Sequence, residues 1–318
     1  MFVIVLYMSF EIDRNRLTQF GSLDFLARQI VEGFITGLHK SPFHGFSVEF
    51  AEHRLYNTGE PIRHIDWKLY GRTEKLFVKR YEEETNLRCQ LVIDKSSSMC
   101  FPVRQTIDFE HPNKLFFSVY AAASLMELMR RQRDAVGLDL FAEEIEFHEP
   151  AKSSDVHNKL VYSQLESLIA NYDKAQKKTT STTQCLHQIA EMTHRRSLVV
   201  IFTDLLDSLE DYNQLFEALE HLKFNKHEVI LFHVYDGALE QDLDFENRPY
   251  RFVDLETGDM LKLNPVEVQQ RYRQVMAERK EAVLKHCYQY QIDYVEADIN
   301  KDYNQILTSY LIKRSKML

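Results

Sequence analysis

The most constraining feature of this sequence is a regular alternation of short apolar runs with helical patterns, which begins at Asn86. Residues 91–93 and 198–202 are uncharged and rich in β-branched side chains, as buried strands are. Longer segments with helical spacing, such as residues 114–134, separate these runs. Strands that alternate with helices form βαβ crossovers. The pattern therefore predicts an α/β domain with a mostly parallel sheet flanked by helices.

The first 85 residues follow a different pattern. Residues 23–35 have the spacing of an amphipathic helix, and five of the nine glycines then fall between Gly33 and Gly71. Alternating residues at 46–50 and 76–78 predict short strands. We expect residues 1–85 to form a helix and a small β lobe. Residues 86–318 should form the α/β domain, with a β-hairpin insertion near residues 248–263.

Composition narrows the class of protein. The net charge is −9, which argues against a nucleic-acid partner, although residues 37–80 carry eight Lys or Arg against five Asp or Glu. The four cysteines are scattered without zinc spacing, which is typical of reduced thiols in a cytoplasmic protein. Residues 1–10 are apolar but lack a basic leader, so we expect neither a signal peptide nor a membrane span.

Polar side chains follow the predicted strands. Asp94, Ser96 and Ser98 come after residues 91–93, Asp204 ends the strand near residue 203, and hydroxyls crowd residues 179–183. Parallel strands end at the same sheet edge, where ligands bind in α/β folds. Two carboxylates and three hydroxyls suit a partly hydrated Mg²⁺, or Mn²⁺ in its place. The same residue types are also ordinary turn and helix-cap residues, and both interpretations stay open.

These residues resemble the metal-ion-dependent adhesion site of von Willebrand factor A-like domains. Asp94, Ser96 and Ser98 match the first motif, a threonine the second, and Asp204 the third. The resemblance implies that the serines and the threonine contact the ion, while the two aspartates act through water or in its place. Thr180 fits the second motif by its offset of six residues from Leu186. Where many A domains have glycine after the last aspartate, this chain has leucine.

Residues 54–67 resemble the signature of the domain of unknown function 58 family, and the likeness spans most of residues 30–235. In one interpretation Trp67 packs the small lobe and Asp66 pairs with a neighbouring arginine. In the other, this region contacts a partner or anion. The candidate partner-binding residues are Arg54, Arg63, Asp66, Trp67 and Arg72.

The family resemblance implies association with MoxR-type AAA+ ATPases and other von Willebrand factor A-domain proteins. The chain has no Gly-x-x-x-x-Gly-Lys phosphate loop, so ATP hydrolysis would belong to the partner. We expect a non-enzymatic adaptor without catalytic residues, acting in chaperone-like complex assembly or remodelling. Its metal would complete its coordination with an acidic side chain of the partner. The alternative is a Mg²⁺-dependent hydrolase or phosphatase, but Ser96 stands where a second carboxylate would be needed.

Overall fold

The computed structural model describes residues 22–39, 53–55, 70–72, 75–79, 87–104, 107–171, 182–205, 212–255 and 258–317. The chain divides into two compact units. One is Thr36–Asn86, and the other combines Met1–Ile35 with Leu87–Leu318. The predicted division into residues 1–85 and 86–318 stays a prediction.

The smaller unit contains a two-stranded antiparallel sheet. Strand β1 (His53–Leu55) pairs with β2 (Phe77–Lys79), and Arg54 lies opposite Val78. The strand predicted at residues 76–78 is confirmed with a shift of one residue. The strand predicted at residues 46–50 lies outside the described part of the chain. Strand β1 was not predicted, because three residues are too few to show a periodicity.

The larger unit is built on a six-stranded sheet. Its strands are β3 (Arg88–Asp94), β4 (Ala135–Phe141), β5 (Ile145–Lys152), β6 (Leu198–Thr203), β7 (Glu228–Tyr235) and β10 (Asp293–Asp298). Strands β8 (Tyr250–Val253) and β9 (Met260–Leu263) form a separate hairpin between β7 and β10. The sheet order is β10-β7-β6-β3-β4-β5. Only the pairing of β5 with β4 is antiparallel within this sheet. The mostly parallel sheet and the predicted hairpin insertion are both confirmed.

Helices surround this sheet as predicted. They are α1 (Leu23–His39), α2 (Lys114–Arg131), α3 (Asp155–Ala170), α4 (Thr182–Met192), α5 (Tyr212–Phe224), α6 (Pro265–Gln289) and α7 (Asn304–Met317). Side chains of α4, α5 and α6 share one hydrophobic core with the sheet. Helix α2 lies against β3 and β4, with α3 and α7 beside it. No helix in the described segments is long and apolar enough to cross a bilayer.

Helix α2 is buried along almost its whole length, from Lys114 to Met129. It begins at Asn113, whose side-chain oxygen accepts a hydrogen bond of 2.8 Å from the amide of Phe116. A mostly apolar sequence allows this burial, and Lys114 is the exception at its first turn. The charge of Lys114 therefore needs partners inside the protein.

Strand order reverses at β3. Along the chain the sheet first grows through β4 to β5 on one side, and then through β6, β7 and β10 on the other. Ligands of open α/β sheets bind outside the carboxyl ends of the strands at such a reversal. Asp94 ends β3 and Asp204 follows β6, so the fold brings the first and third predicted motifs to this position.

Candidate metal site

Asp94 is a buried carboxylate, only 1% exposed, at the end of β3. The amide of Ser96 donates a hydrogen bond of 2.9 Å to Oδ1, and the hydroxyl of Thr203 donates one of 2.9 Å to Oδ2. Burial, followed by repulsion from Asp204, raises the pKa of Asp94 to about 7. None of the described Lys, Arg and His side chains forms an ion pair with it. This end of the sheet therefore favours added positive charge.

Ser96 and Ser98 place two hydroxyl oxygens next to this carboxylate. Ser96 precedes the 3₁₀ turn Ser97–Cys100, and its Oγ lies 2.9 Å from Oγ of Ser98. Adjacent ligands in an octahedral Mg²⁺ shell, each about 2.1 Å from the ion, are about 3.0 Å apart. The same spacing is an ordinary hydrogen bond between hydroxyls. The donor set and its spacing therefore fit a hard divalent cation.

Asp204 is also buried, but it has a cationic partner within the chain. Its Oδ2 accepts a hydrogen bond of 2.8 Å from Nζ of Lys114, which also lies 2.5 Å from Oε1 of Glu240. Burial favours a lower pKa for Lys114, but Asp204 and Glu240 outweigh burial and raise it. The ammonium group thus stays charged, and one oxygen of Asp204 is already occupied.

Sequence reasoning missed Lys114 and Glu240. The available signal for the lysine was a single charge in the first turn of a helix that has no other charged residue before Glu127. Glu240 lies in a five-residue π-helix, Gly237–Gln241, which is too short to show a hydrophobic periodicity in the sequence. Burial, and to a lesser degree repulsion from Asp204, raises the pKa of Glu240 even though Lys114 lowers it. Two carboxylates here share one ammonium group.

Thr203 and Leu205 flank Asp204 and fix the backbone there. The Leu205 amide donates a hydrogen bond of 3.4 Å to the Thr203 hydroxyl, which itself donates to Asp94. Leu205 has φ of 52°, in the left-handed region that glycine adopts at little cost. A leucine there costs about 1–2 kcal/mol of backbone strain. Its side chain is buried in the core shared with α4 and α5, which offsets this cost.

Several predicted residues lie outside the described segments, namely Thr180, Arg63, Asp66 and Trp67. The structure places Arg54 in β1 and leaves Arg72 exposed. Lys95 turns to Glu146, with Nζ 2.7 Å from its carboxylate. No group of three or more His, Cys, Asp or Glu side chains within the described segments is arranged to hold a metal. Hydroxyl ligands are therefore essential to the candidate site.

Comparisons with known proteins give a family for this chain. An uncharacterized protein of Mycobacterium bovis and one of Mycobacterium tuberculosis are each 31% identical to it over 80 residues. That match spans 25% of this chain and about a quarter of the length of these relatives.

Two solved structures are similar at 17% identity and a TM-score of 0.44. One is the conserved hypothetical protein BatB from Bacteroides thetaiotaomicron, matched over 73% of this chain and 100% of that one. The other is an aerotolerance-related membrane protein from Bacteroides fragilis, matched over 70% and 97%. At this TM-score, neither structure supports a conclusion about this chain. The family model described as "Protein of unknown function DUF58" matches residues 52–283, most of the chain, and the protein is therefore a member of the DUF58 family.

Proposed function

We propose that this chain is a non-enzymatic adaptor whose von Willebrand factor A-like domain docks a partner protein through a divalent cation. The observation that carries the proposal is the buried carboxylate of Asp94, which lacks an ion pair among the described residues and adjoins two hydroxyls. Mg²⁺ is the proposed ion, and Mn²⁺ is a substitute. The proposed metal-binding residues are Asp94, Ser96, Ser98, Thr180 and Asp204.

Each described residue has a distinct task at the proposed site. Ser96 and Ser98 present oxygen lone pairs at the spacing of adjacent ligands. Asp94 supplies negative charge and, through its bond to the Ser96 amide, fixes the turn that aims both serines. Thr203 ties Asp94 to β6, so the two motifs keep their relative position. When bound, the ion supplies a Lewis-acidic position that accepts a carboxylate oxygen from a partner.

The sheet supports the von Willebrand factor A-like assignment. That assignment requires a mostly parallel sheet whose central strand leads into the first motif, and β3 occupies this position between β4 and β6. The left-handed backbone of Leu205, where many A domains have glycine, is a second supporting feature.

The proposed partner is a MoxR-type AAA+ ATPase, together with other von Willebrand factor A-domain proteins, in a cytoplasmic assembly or remodelling pathway. Support comes from membership in the DUF58 family and from the lack of a phosphate-binding loop in this chain. The anchor on the partner is an acidic side chain, because a cation with an open position prefers one more carboxylate. Arg54, Arg63, Asp66, Trp67 and Arg72 are proposed as further partner contacts in the smaller unit.

A pulldown of the purified MoxR-type ATPase with the full-length chain tests this proposal. We expect capture in Mg²⁺, loss in EDTA, and recovery when Mg²⁺ is added back. The variant Ser96→Ala/Ser98→Ala should fail to capture the ATPase. As a control, Ser153→Ala/Ser315→Ala, which changes two exposed serines, should behave like the wild type. Capture that survives both EDTA and the first double substitution would contradict the proposal.

The alternative activity is tested with the same proteins. A Mg²⁺-dependent hydrolase or phosphatase would turn over a generic phosphate ester, and this turnover would disappear in Asp94→Asn. We expect no turnover by the wild type. Activity that depends on Asp94 would replace the adaptor proposal with the enzymatic one.

A further inference from the structure

A buried ion triad shares Asp204 with the proposed cation site, while its other two members, Lys114 and Glu240, have no role in the function proposed so far. Lys114 is fully buried and lies between Asp204 and Glu240, at 2.8 and 2.5 Å from their carboxylate oxygens. Lone lysines are rarely buried completely, because removing an ammonium group from water costs several kcal/mol. The burial of Lys114 therefore depends on its two acidic partners.

Glu240 is held firmly in its place. Its second carboxylate oxygen accepts a hydrogen bond of 2.8 Å from the amide of Asp236, and its carbonyl accepts one of 2.6 Å from Tyr272 of α6. Its side chain is only 17% exposed. Since both oxygens are engaged, its distance from Lys114 is fixed by the surrounding structure.

The side chains of the triad and of Asp94 together have a defined net charge. With every carboxyl group ionised, as a bound cation favours, the triad of two carboxylates and one ammonium has a net charge of −1, and Asp94 adds another −1. The resulting −2 equals in magnitude the charge of one divalent cation. In a buried region such a balance matters, because charges interact there much more strongly than in water.

We propose that Lys114 and Glu240 are the residues that match the charge of the site to one divalent cation, with Lys114 also holding Asp204 in position. This inference rests on the proposed function, since it concerns the same cation site. Without Glu240, Lys114 would leave the site with a net charge of −1. Glu240 brings this total to −2. Neither residue needs to contact the ion, because the effect is electrostatic.

Three variants separate the effect of net charge on cation affinity from the effect of lost contacts. Glu240→Gln leaves −1 at the site, Lys114→Met leaves −3, and the combination Lys114→Met/Glu240→Gln returns it to −2. We expect Mn²⁺ binding about tenfold weaker in the first and about tenfold tighter in the second, as one unit charge several ångströms away would produce. The double variant should bind within about threefold of the wild type.

Calorimetric titration of Mn²⁺ into the purified wild type and the three variants measures the order of their affinities. Circular dichroism checks the fold, and if Lys114→Met does not fold, Glu240→Gln and the double variant still decide the question. A purely structural role predicts that the double variant, which loses the most contacts, binds worst, and that order would overturn the inference. Equal affinity in all folded variants would overturn it too, while leaving the cation site intact. A wild type that binds no Mn²⁺ would overturn both the site and the inference.

Discussion

Replacing Asp94 with asparagine should stabilise the metal-free protein at alkaline pH and remove its response to Mg²⁺. Asparagine has nearly the same shape as aspartate, and its oxygen can still accept the hydrogen bond from the Ser96 amide. Its amide can donate to the hydroxyl of Thr203 in place of the bond that the carboxylate accepts. The substitution therefore removes the buried charge with little change in packing.

The magnitude follows from the pKa of Asp94, which rises from 3.8 to about 7 on folding. A carboxyl group with a raised pKa contributes stability that is full below its unfolded pKa and is lost as pH rises through the folded value. Each pKa unit corresponds to about 1.4 kcal/mol, so the wild type should lose about 3 kcal/mol between pH 5 and 8. Asp94→Asn has no such group and should escape this loss.

Urea denaturation at pH 5 and pH 8, in EDTA and in Mg²⁺, provides the assay. We expect the difference in unfolding free energy between variant and wild type to shift by about 3 kcal/mol toward the variant from pH 5 to pH 8. Saturating Mg²⁺, at about 100 times its Kd, should stabilise the wild type by about 2.7 kcal/mol and leave the variant unchanged. If the variant and the wild type show the same pH dependence, the assignment of buried, uncompensated charge to Asp94 is refuted.

Two further predictions concern other buried charges. Lys114→Met should lower the unfolding free energy by about 3–5 kcal/mol, because it leaves two buried carboxylates without their cation. Adding Glu240→Gln to this variant should recover part of the lost stability, and urea denaturation measures both effects. His148 lies 2.5 Å from the buried Asp139, whose hydrogen bond raises the pKa of the imidazole. Its stabilisation should be full below about pH 6 and be lost as pH rises through the raised pKa. The stability difference between the wild type and His148→Gln should then shrink from pH 6 to pH 9, and a constant difference would contradict this.

The sheet was predictable because its four central strands, β7, β6, β3 and β4, are mostly apolar and buried. Strand β6 extends the predicted run at residues 198–202 by one residue, and β3 contains the predicted run at residues 91–93. The meeting of Asp94 and Asp204 followed from one rule, that parallel strands end at the same edge of a sheet. This rule needs only the order of elements along the chain, and the sequence contains that order.

The partners of these aspartates could not be predicted in the same way. Lys114 bonds to residues 90 and 126 positions away, and Thr203 bonds to Asp94 across 109 positions. Such pairs depend on how helix α2 lies on the sheet and on the relative register of β3 and β6. No local periodicity carries this information, so a buried lysine in an apolar helix indicates only that some acidic partner must exist.

The central claim is that Asp94, Ser96 and Ser98 hold a divalent cation, and anomalous diffraction from crystals of the full chain grown in Mn²⁺ tests it most directly. We predict one anomalous peak within about 2.3 Å of Oγ of both serines. The same crystals of Ser96→Ala/Ser98→Ala should lack that peak. Crystals with no peak at this edge of the sheet, or with an unchanged peak in the double variant, would contradict the account.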